Sequence, residues 1–585
     1  MFKLNINDKL YTDYNYIDVH SMTRIDEKSN EKLYNINPKE KKLFNQDIFE
    51  IKNDSLILKY SSVRINDSIP GILLLDIIHG TYNNKPLYRV IPDDKRLPDF
   101  LVPYKKNYTF NKNTKNMYIL FKYENWDNKH PIGIITNNLG TVDELSNFYE
   151  YILFCKSLQI SISNFTKETV KKLKTQTGDY YFEQICKKYN IEDRSRGENF
   201  HYIFTIDGKT TQDFDDAIGI KNNTISVYIS NVSLWLEIMN LWNAFSKRVS
   251  TIYLPNHKKS MMPVILSESL CSLVQKNKKI ALTMDIQFDE SFQKVIDISF
   301  KNTLIYIKKN YIYETEELFN NQHYKKIYDI IHKYNYSPNG LFLNPVNTSY
   351  DIITYLMIFM NWETSKILLN SKVGIYRKLD HKNKLTNYNN IPDTIQDEQK
   401  SLIFFFKSQS AQYCKYENSI YESIIHNNIK QYTHITSPIR RLVDLLNSII
   451  IQEILGLVSF SSDAHKFYDG WITQLDYINL TMRSIRKVQN RCDILTKVTE
   501  INKTQDLNNI VYKGIPFDEI CFDNGMFQYT VLINDLKYFV KYVTPIKLKE
   551  YKEYDYNIFI FQDEDTLKRK IRVKLSNIDN YKLNI

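Results

Sequence analysis

The feature that most constrains this chain is an acidic cluster between two apolar runs, TIDGKTTQDFDDAIGI at residues 205–220. It places Asp207, Asp213, Asp215 and Asp216 within ten positions. Unpaired carboxylates this close repel one another and are costly to remove from water. The preceding HYIFTID alternates like a strand ending at Asp207, and AIGI begins a second extended run. The sequence therefore predicts two strands joined by a loop that carries the last three aspartates.

The spacing of these aspartates indicates a site for a hard cation. Functional side chains are concentrated on loops that a rigid sheet holds at both ends. The spacing does not fit the helix–loop–helix Ca²⁺ motif, which needs Gly at its sixth position and Glu at its twelfth. It suits carboxylates that converge on Mg²⁺, which prefers oxygen ligands and keeps several waters. The alternative is a solvated acidic turn without a metal.

A second motif, THITSPIRRLVDLLN at residues 433–447, reads as the start of a helix. Thr436 or Ser437 can cap it, and Pro438 suits its first turn. Arg440 and Arg441 then fall in the first turn, where the helix dipole disfavours cations. A bound phosphate would resolve this conflict, because helix N–H groups and a guanidinium both bind anions. The alternative is a pair of surface arginines.

Composition narrows the class of protein. With 585 residues the chain is long enough for several domains. A net charge of +10 favours an anionic partner such as nucleic acid, and the 44 Tyr and 31 Phe suit base stacking, although AT-rich coding gives the same bias. The six cysteines form no CxxC pair, which argues against a zinc site and a disulfide framework. We expect a soluble intracellular protein that does not enter a membrane.

Hydrophobic periodicity divides the chain into regions. Short alternating runs up to about residue 190 predict small β-barrels, and strands also dominate residues 200–300. The periodicity between residues 350 and 500 is helical, and the last 80 or so residues return to β-like alternation. The predicted fold class is therefore α+β and multidomain.

The two motifs resemble signature blocks of the ribonuclease II (RNB) family, which includes the eukaryotic exosome exoribonuclease. Between them, TIYLPNHKKSMMPVILSESLCSL at residues 251–273 resembles a third block. Upstream, KRLPDFLVP and HPIGIITNNLG are similar to the exosome-type cold-shock region. The resemblance covers about residues 80–500, and we expect no room for the extra N-terminal nuclease domain of the exosome enzyme.

The resemblance implies an architecture of OB-type β-barrels flanking a large α+β RNB catalytic domain. The expected domains are an N-terminal segment with a first cold-shock domain at 1–120 and a second cold-shock domain at 121–190. The RNB domain is expected at 191–505, and a small OB-type β domain at 506–585. A monomeric catalytic unit, which could join an RNA-processing complex, is expected.

The resemblance also implies an activity. Members hydrolyse single-stranded RNA processively from its 3′ end to nucleoside 5′-monophosphates, using Mg²⁺, with Mn²⁺ as the alternative ion. By motif position Asp207, Asp213, Asp215 and Asp216 correspond to the metal site, and Asp215 is expected to be the most sensitive.

The resemblance implies that four residues bind RNA. Arg440 corresponds to the catalytic arginine that holds the phosphate near the cleaved bond, and Arg441 lies beside it on the RNA path. Tyr313 corresponds to a tyrosine that stacks on terminal bases. Tyr253 corresponds to a position that helps to set the length of the final product. For either tyrosine, the alternative is core packing.

The chain departs from the family pattern at several positions. An acidic pair is replaced by Thr354 and Tyr355, a carboxylate in a later helix by Asn490, and an aromatic residue by Leu442. A histidine is replaced by Leu379. These losses keep open a catalytically weak or inactive RNB-fold protein that binds RNA or acts as a scaffold.

Overall fold

The structure is a computed structural model of the 585-residue chain. It describes residues 1–25, 33, 35–52, 55–106, 115–340, 346–378, 391–392, 394–408, 411–417, 429, 431–504, 510–563 and 567–576. Leu379 lies outside these described residues. The chain divides into two compact units, each made of segments that are distant in sequence. The first comprises Met1–Gln159, Asn490–Tyr512 and Asp555–Ile585, and the second Ile160–Gln489 and Lys513–Tyr554.

The first unit begins with an antiparallel sheet in the order β2-β1-β3-β4, followed by a closed barrel in the order β5-β6-β7-β9-β8. The strands are β1 Phe2–Ile6, β2 Tyr14–Asp18, β3 Ile48–Lys52, β4 Ser55–Tyr60, β5 Ile69–Tyr82, β6 Lys85–Pro92, β7 Phe100–Pro103, β8 Met117–Asn125 and β9 Ile132–Thr141. Two helices accompany them, α1 Ser62–Ile65 and α2 Leu145–Cys155.

The barrel forms because its strands present apolar side chains inward at alternating positions, and Val90, Phe100 and Phe121 are fully buried. Closure pairs every strand with two neighbours and so removes exposed sheet edges. The predicted domain limit at residue 120 lies inside β8, so the barrel takes strands from both sides of that limit. Hydrophobic runs alone could not locate this closure, because it depends on which strands pair.

The second unit contains the remaining helices and most of the remaining strands. Its strands are β10 Glu192–Asp193, β11 Tyr202–Asp207, β12 Asp216–Lys221, β13 Thr224–Ser230, β14 Ile252–Tyr253, β15 Lys258–Lys259, β16 Lys278–Phe288, β17 Val295–Ile312, β18 Ile375–Lys378, β19 Gln412–Lys415, β20 Tyr512–Cys521, β21 Phe527–Ile533 and β22 Tyr538–Thr544. Its helices are α3 Ser163–Thr175, α4 Gly178–Lys188, α5 Val232–Ile238, α6 Glu316–Phe319, α7 Gln322–Asn335, α8 Ser349–Asn370, α9 Asp397–Ser408, α10 Leu442–Ile454 and α11 Ser462–Ile472, with α12 Leu475–Thr504 starting in this unit.

A six-stranded sheet in the order β10-β17-β11-β12-β13-β16 forms the centre of this unit. The long β17 pairs antiparallel with β16 along its first part and parallel with β11 along its last residues. One face packs against α7 and α8 in a core that includes Ile218, Ile327 and Leu356. Gly219 permits the close approach of β12 to β11, since a Cβ there would lie 2.9 Å from the Tyr202 carbonyl oxygen.

The mixed fold class predicted from the sequence is confirmed. The helical periodicity between residues 350 and 500 corresponds to α8, α9, α10, α11 and α12 among the described residues. In the C-terminal part, β23 Tyr554–Gln562 and β24 Arg569–Leu575 pair antiparallel, and β20, β21 and β22 form an antiparallel set within the second unit. No helix in the described ranges is both long and apolar enough to cross a bilayer.

Candidate nuclease site

The acidic cluster lies at one end of the central sheet of the second unit. Asp207 is the last residue of β11, and Asp216 is the first residue of its antiparallel neighbour β12. Asp213 and Asp215 lie on the connecting loop, as predicted. The prediction that Asp216 also lies on the loop is wrong, because it pairs with Ile229 of β13. The sheet thus fixes the two outer aspartates and presents the two inner ones.

Asp213 is neutralised by a lysine of this chain. Lys258 donates to its Oδ1 at 2.8 Å, and the Tyr253 hydroxyl donates to its Oδ2 at 2.9 Å. Tyr253 and Lys258 face each other across the short β14–β15 pair, which explains why they reach one carboxylate together. Lys258 also forms an ion pair with Glu268 at 2.8 Å. Sequence reasoning missed Lys258, although it stands inside the third motif block.

Asp215 connects the acidic loop to the second motif. Its side chain is 2% exposed, the Ile439 backbone N–H donates to Oδ1 at 2.8 Å, and Arg440 Nε donates to Oδ2 at 3.0 Å. Arg440 Nη2 also donates to Ser437 Oγ at 3.1 Å. The Arg440 side chain stays 45% exposed, so part of the guanidinium remains open to an incoming anion. The structure therefore brings together Asp215 and Arg440, one residue from each of the two motifs.

The predicted start of the arginine helix is wrong. Helix α10 begins at Leu442, with Arg441 as the preceding cap residue in extended conformation, and neither Thr436 nor Ser437 caps it. The cause is a pairing with residues 249–251, in which the Leu442 N–H donates to the Val249 carbonyl and the Thr251 N–H to the Arg440 carbonyl, both at 3.0 Å. Both arginines therefore precede the helix.

Arg441 faces its own helix. Its Nη2 donates to Asp444 Oδ1 at 2.8 Å, and the Ser437 N–H donates to the same oxygen at 2.8 Å. Asp444 is fully buried and so fastens the turn before α10. The Arg441 side chain is 24% exposed. Its predicted contact with RNA stays a prediction, while its visible function is to hold the backbone that carries Arg440.

Asp207 and Asp216 are the two carboxylates that the protein leaves without a cation of its own. Asp207 Oδ2 is buried and accepts no hydrogen bond. Among the described residues, no hydrogen bond or ion pair reaches the Asp216 carboxylate. Burial raises the pKa of each to about 7, and for Asp216 the neighbouring Asp207 is the next largest cause. Burial raises the pKa of Asp215 to about 7 as well, but that carboxylate is bonded to Arg440. Within the described residues, Asp207 and Asp216 are therefore the carboxylates of the cluster whose charge a bound cation would offset.

The four aspartates do not form a ready-made set of four ligands. Within the described residues, no three Asp, Glu, His or Cys side chains are grouped so that they could hold a metal ion. Mg²⁺ is commonly held by one or two carboxylates together with water and substrate phosphate. The orphaned oxygen of Asp207 beside Asp216 fits this mode of binding.

The two predicted RNA-binding tyrosines flank the cluster. The Tyr313 N–H donates to the Asp207 carbonyl at 3.1 Å, and its half-buried ring packs at the margin of the core. Burial, followed by the charges of Asp216 and Asp207, raises the pKa of the Tyr313 hydroxyl. Tyr253 is 37% exposed. Both rings thus stand beside the carboxylates instead of deep in the core, as stacking on a substrate requires.

The positions that depart from the family pattern differ in burial. Tyr355 is 2% exposed inside the core between the sheet and α8, so it adds apolar packing where the family has an acid. Leu442 is fully buried at the start of α10. Asn490 lies on an exposed position of α12. The core has been filled with apolar side chains at two of these positions.

Comparison with known proteins identifies two parts of the chain. Residues 199–335 match the RNB domain, and residues 87–156 match the Dis3-like cold-shock domain 2. Ribonuclease R of Thermotoga maritima is 25% identical over 243 residues, which are 40% of this chain and 33% of that protein. The chain therefore matches about a third of the length of this relative.

Solved structures share the fold. Mycoplasma genitalium ribonuclease R in complex with ribose-methylated single-stranded RNA is similar with a TM-score of 0.67 and 16% identity, over 98% of this chain and 100% of the other. Yeast Ssd1, a pseudonuclease, is similar with a TM-score of 0.56 and 14% identity, over 88% of this chain and 70% of the other. At these identities the likeness concerns the fold alone. The chain therefore contains segments that match the RNB domain and the Dis3-like cold-shock domain 2, in agreement with the resemblance of its three motif blocks to the ribonuclease II (RNB) family.

Proposed function

We propose that this protein is a 3′→5′ exoribonuclease that hydrolyses single-stranded RNA processively to nucleoside 5′-monophosphates. The observation that carries the proposal is the contact of Arg440 with Asp215, next to the unneutralised pair Asp207 and Asp216. It joins a phosphate-binding group to a cation-binding group in one unit. Phosphodiester hydrolysis needs both, because negative charge accumulates on the phosphate in the transition state.

Asp207 and Asp216 would hold the divalent cation, Mg²⁺ or Mn²⁺. Such an ion activates water, binds the scissile phosphate and stabilises the leaving oxygen. Asp215 is expected to act in another way, because both of its oxygens already accept hydrogen bonds from residues 439 and 440. It holds the guanidinium of Arg440 in a fixed orientation, so that its free N–H groups can bind a phosphate oxygen without further reorganisation.

The aromatic side chains would hold the RNA strand itself. Tyr313 and Tyr253 offer partly exposed rings beside the carboxylates, and every base has a face on which a ring can stack. The basic net charge of the chain favours the approach of a polyanion. We expect single-stranded RNA as the substrate, because its unpaired bases are free to stack.

A second candidate is an RNA-binding or scaffold protein with little or no hydrolytic activity. Lys258 favours it, since this cation occupies the Asp213 carboxylate that the family resemblance assigns to the metal site. The absence of a three-ligand group among the described residues points the same way. The complete set of four aspartates with Arg440 favours the enzyme.

The decisive experiment incubates the purified full chain with Mg²⁺ and RNA that carries a radioactive label at its internal phosphates. A linear oligoadenylate, the same RNA with a blocked 3′ end and a circular RNA are compared. We expect mononucleotides from the linear RNA alone. Binding without any product would support the scaffold protein, and cleavage of the circle at the linear rate would contradict the exonuclease.

A further inference from the structure

An exposed tyrosine outside every motif stands beside the candidate site. Tyr350, the second residue of α8, is 58% exposed, an unusual state for a large aromatic side chain. Its ring lies 5.7 Å from the ring of Tyr313, centroid to centroid, with 59° between the planes. The two rings therefore form an angled wall, with one side of Tyr350 turned towards solvent.

The position of Tyr350 is fixed from both sides. Glu314 Oε1 accepts hydrogen bonds from the Ser349 N–H and hydroxyl, both at 2.6 Å, and the Glu314 N–H donates to the Ser349 hydroxyl at 3.1 Å. Thr348 and Asp351 form a reciprocal capping box at the same helix end. These bonds tie the start of α8 to the turn that follows Tyr313, so the ring pair is preorganised before any ligand arrives.

The same wall borders the carboxylates. The Tyr313 backbone is bonded to the Asp207 carbonyl, and the charges that act on the Tyr313 hydroxyl come from Asp216 and Asp207. When a single nucleotide is removed from the 3′ end, the phosphate at the cleaved bond is held at this carboxylate pair. Only one nucleoside then lies between that phosphate and the 3′ end of the RNA. The base of that nucleoside is the part of the substrate that reaches an aromatic side chain next to the site.

We propose that Tyr350 is a substrate-positioning residue whose exposed ring stacks on the 3′-terminal base and, with Tyr313, fixes the terminal nucleoside against the metal-binding pair. This inference rests on the proposed exoribonuclease function. Stacking tolerates all four bases, as degradation of varied RNA requires. Its small apolar platform also adds affinity without adding charge, at a place where Arg440 and the cation already supply positive charge.

The test measures binding in a double cycle, in the full-length Asp215→Asn background, which is expected to bind RNA without cleaving it. A 15-nucleotide oligoadenylate and the same RNA with an abasic 3′-terminal residue are the two ligands. We expect Tyr350→Ala to weaken binding of the intact RNA about 5- to 100-fold, the scale of one base–aromatic stack. Binding of the abasic RNA should change less than about twofold, because its base partner is already missing.

Tyr336→Ala is the matched control. Tyr336 is 47% exposed and follows α7, where its ring lies 4.9 Å from the ring of His332, centroid to centroid. It should leave both affinities unchanged. If Tyr350→Ala lowers the melting temperature strongly, Tyr350→Leu and Tyr350→Trp replace it: the leucine variant should bind like alanine and the tryptophan variant like wild type.

Two results would overturn the inference: an equal loss for both RNAs, or no loss for either. A tryptophan variant that binds as weakly as the leucine variant would also contradict it. Failure of the proposed function is a separate result. It would appear as a wild-type protein that releases no mononucleotides with Mg²⁺, whatever the outcome of the binding cycle.

Discussion

Two pairs of aspartates in one acidic segment have opposite surroundings. The inner pair, Asp213 and Asp215, has every carboxylate oxygen engaged, by Tyr253, Lys258, the Ile439 N–H and Arg440. The outer pair, Asp207 and Asp216, terminates neighbouring strands and has an oxygen without any partner. The four aspartates thus divide into two whose carboxylates are bonded within the protein and two whose carboxylates have no bonded cation among the described residues.

The difference shows how a crowded acidic cluster can fold when cations of the same chain neutralise part of it. Repulsion between four carboxylates would oppose folding, because each must lose water without gaining a partner. Internal cations from distant segments remove most of that opposition for the inner pair. Burial raises the pKa of Asp215 as well as of Asp207 and Asp216 to about 7, but Asp215 is bonded to Arg440, whereas no cation is bonded to the outer pair among the described residues.

The largest expected effect is on hydrolysis, and it distinguishes the outer pair of aspartates from the inner pair. Asp207→Asn and Asp216→Asn should each reduce hydrolysis at least about a thousandfold, because metal stabilisation of the transition state is worth several kcal/mol and about 1.4 kcal/mol is tenfold. Mg²⁺ should raise the melting temperature of the wild type, since a ligand of the native state stabilises it, and should fail to do so in these variants.

Asp213→Asn is the control for that experiment. It should retain the Mg²⁺-dependent rise in melting temperature, although Lys258 loses one of its two carboxylate partners. Loss of the rise in all three variants would show that the division into two pairs is wrong and that Asp213 exchanges Lys258 for the metal.

The second largest effect on turnover is expected at Arg440, which contacts Asp215 of the inner pair and would bind the phosphate of the RNA. Arg440→Lys should slow turnover roughly ten- to thousandfold, the scale of one lost contact to transition-state charge. Lysine keeps the charge but lacks the planar group that holds Asp215 with one nitrogen while others face a phosphate. Single-turnover rates with labelled RNA measure this effect, and a lysine variant at wild-type rate would reduce Arg440 to a surface cation.

Substitution of Lys258 should have a smaller effect, and on the free energy of unfolding instead of on hydrolysis. Lys258→Met leaves Asp213 with Tyr253 as its remaining partner, and should lower the free energy of unfolding by about 1–3 kcal/mol, less than for a fully buried pair. Lys258→Arg should restore most of the loss. Chemical denaturation measures the change, and the Mg²⁺-dependent rise in melting temperature should persist. An unchanged denaturation midpoint in Lys258→Met would contradict the neutralising role.

The strand that ends at Asp207 and the loop that carries Asp213 and Asp215 could be predicted from the sequence, whereas the partners of the inner pair could not. Strand alternation before Asp207 and after Asp216 locates both residues at the end of a sheet. Lys258 is 45 residues from Asp213 and Arg440 is 225 residues from Asp215, so each contact depends on how segments pair in three dimensions. The misplaced start of α10 has the same origin, since residues 249–251 bond the backbone that a helix reading would assign to the first turn.

Substitutions of Tyr253 have the smallest expected effect. They separate two functions of this residue, the hydrogen bond of its hydroxyl to Asp213 and the stacking surface of its ring. Tyr253→Phe removes one hydrogen bond to Asp213, worth about 0.5–1.5 kcal/mol at this partly exposed position, and keeps the ring. It should lower the melting temperature slightly and leave the length of the final RNA product unchanged.

Tyr253→Ala removes the ring as well. A lost base stack of about 1–3 kcal/mol lets short RNA ends dissociate before the last cleavages, so the final product should become longer by one or more nucleotides. Denaturing gels resolve single nucleotides and compare the two variants in parallel. A longer product with both would mean that Asp213 aligns the ring through the hydroxyl. The inner pair would then influence the length of the final RNA product as well as folding. The functions of the inner and outer pairs would therefore overlap.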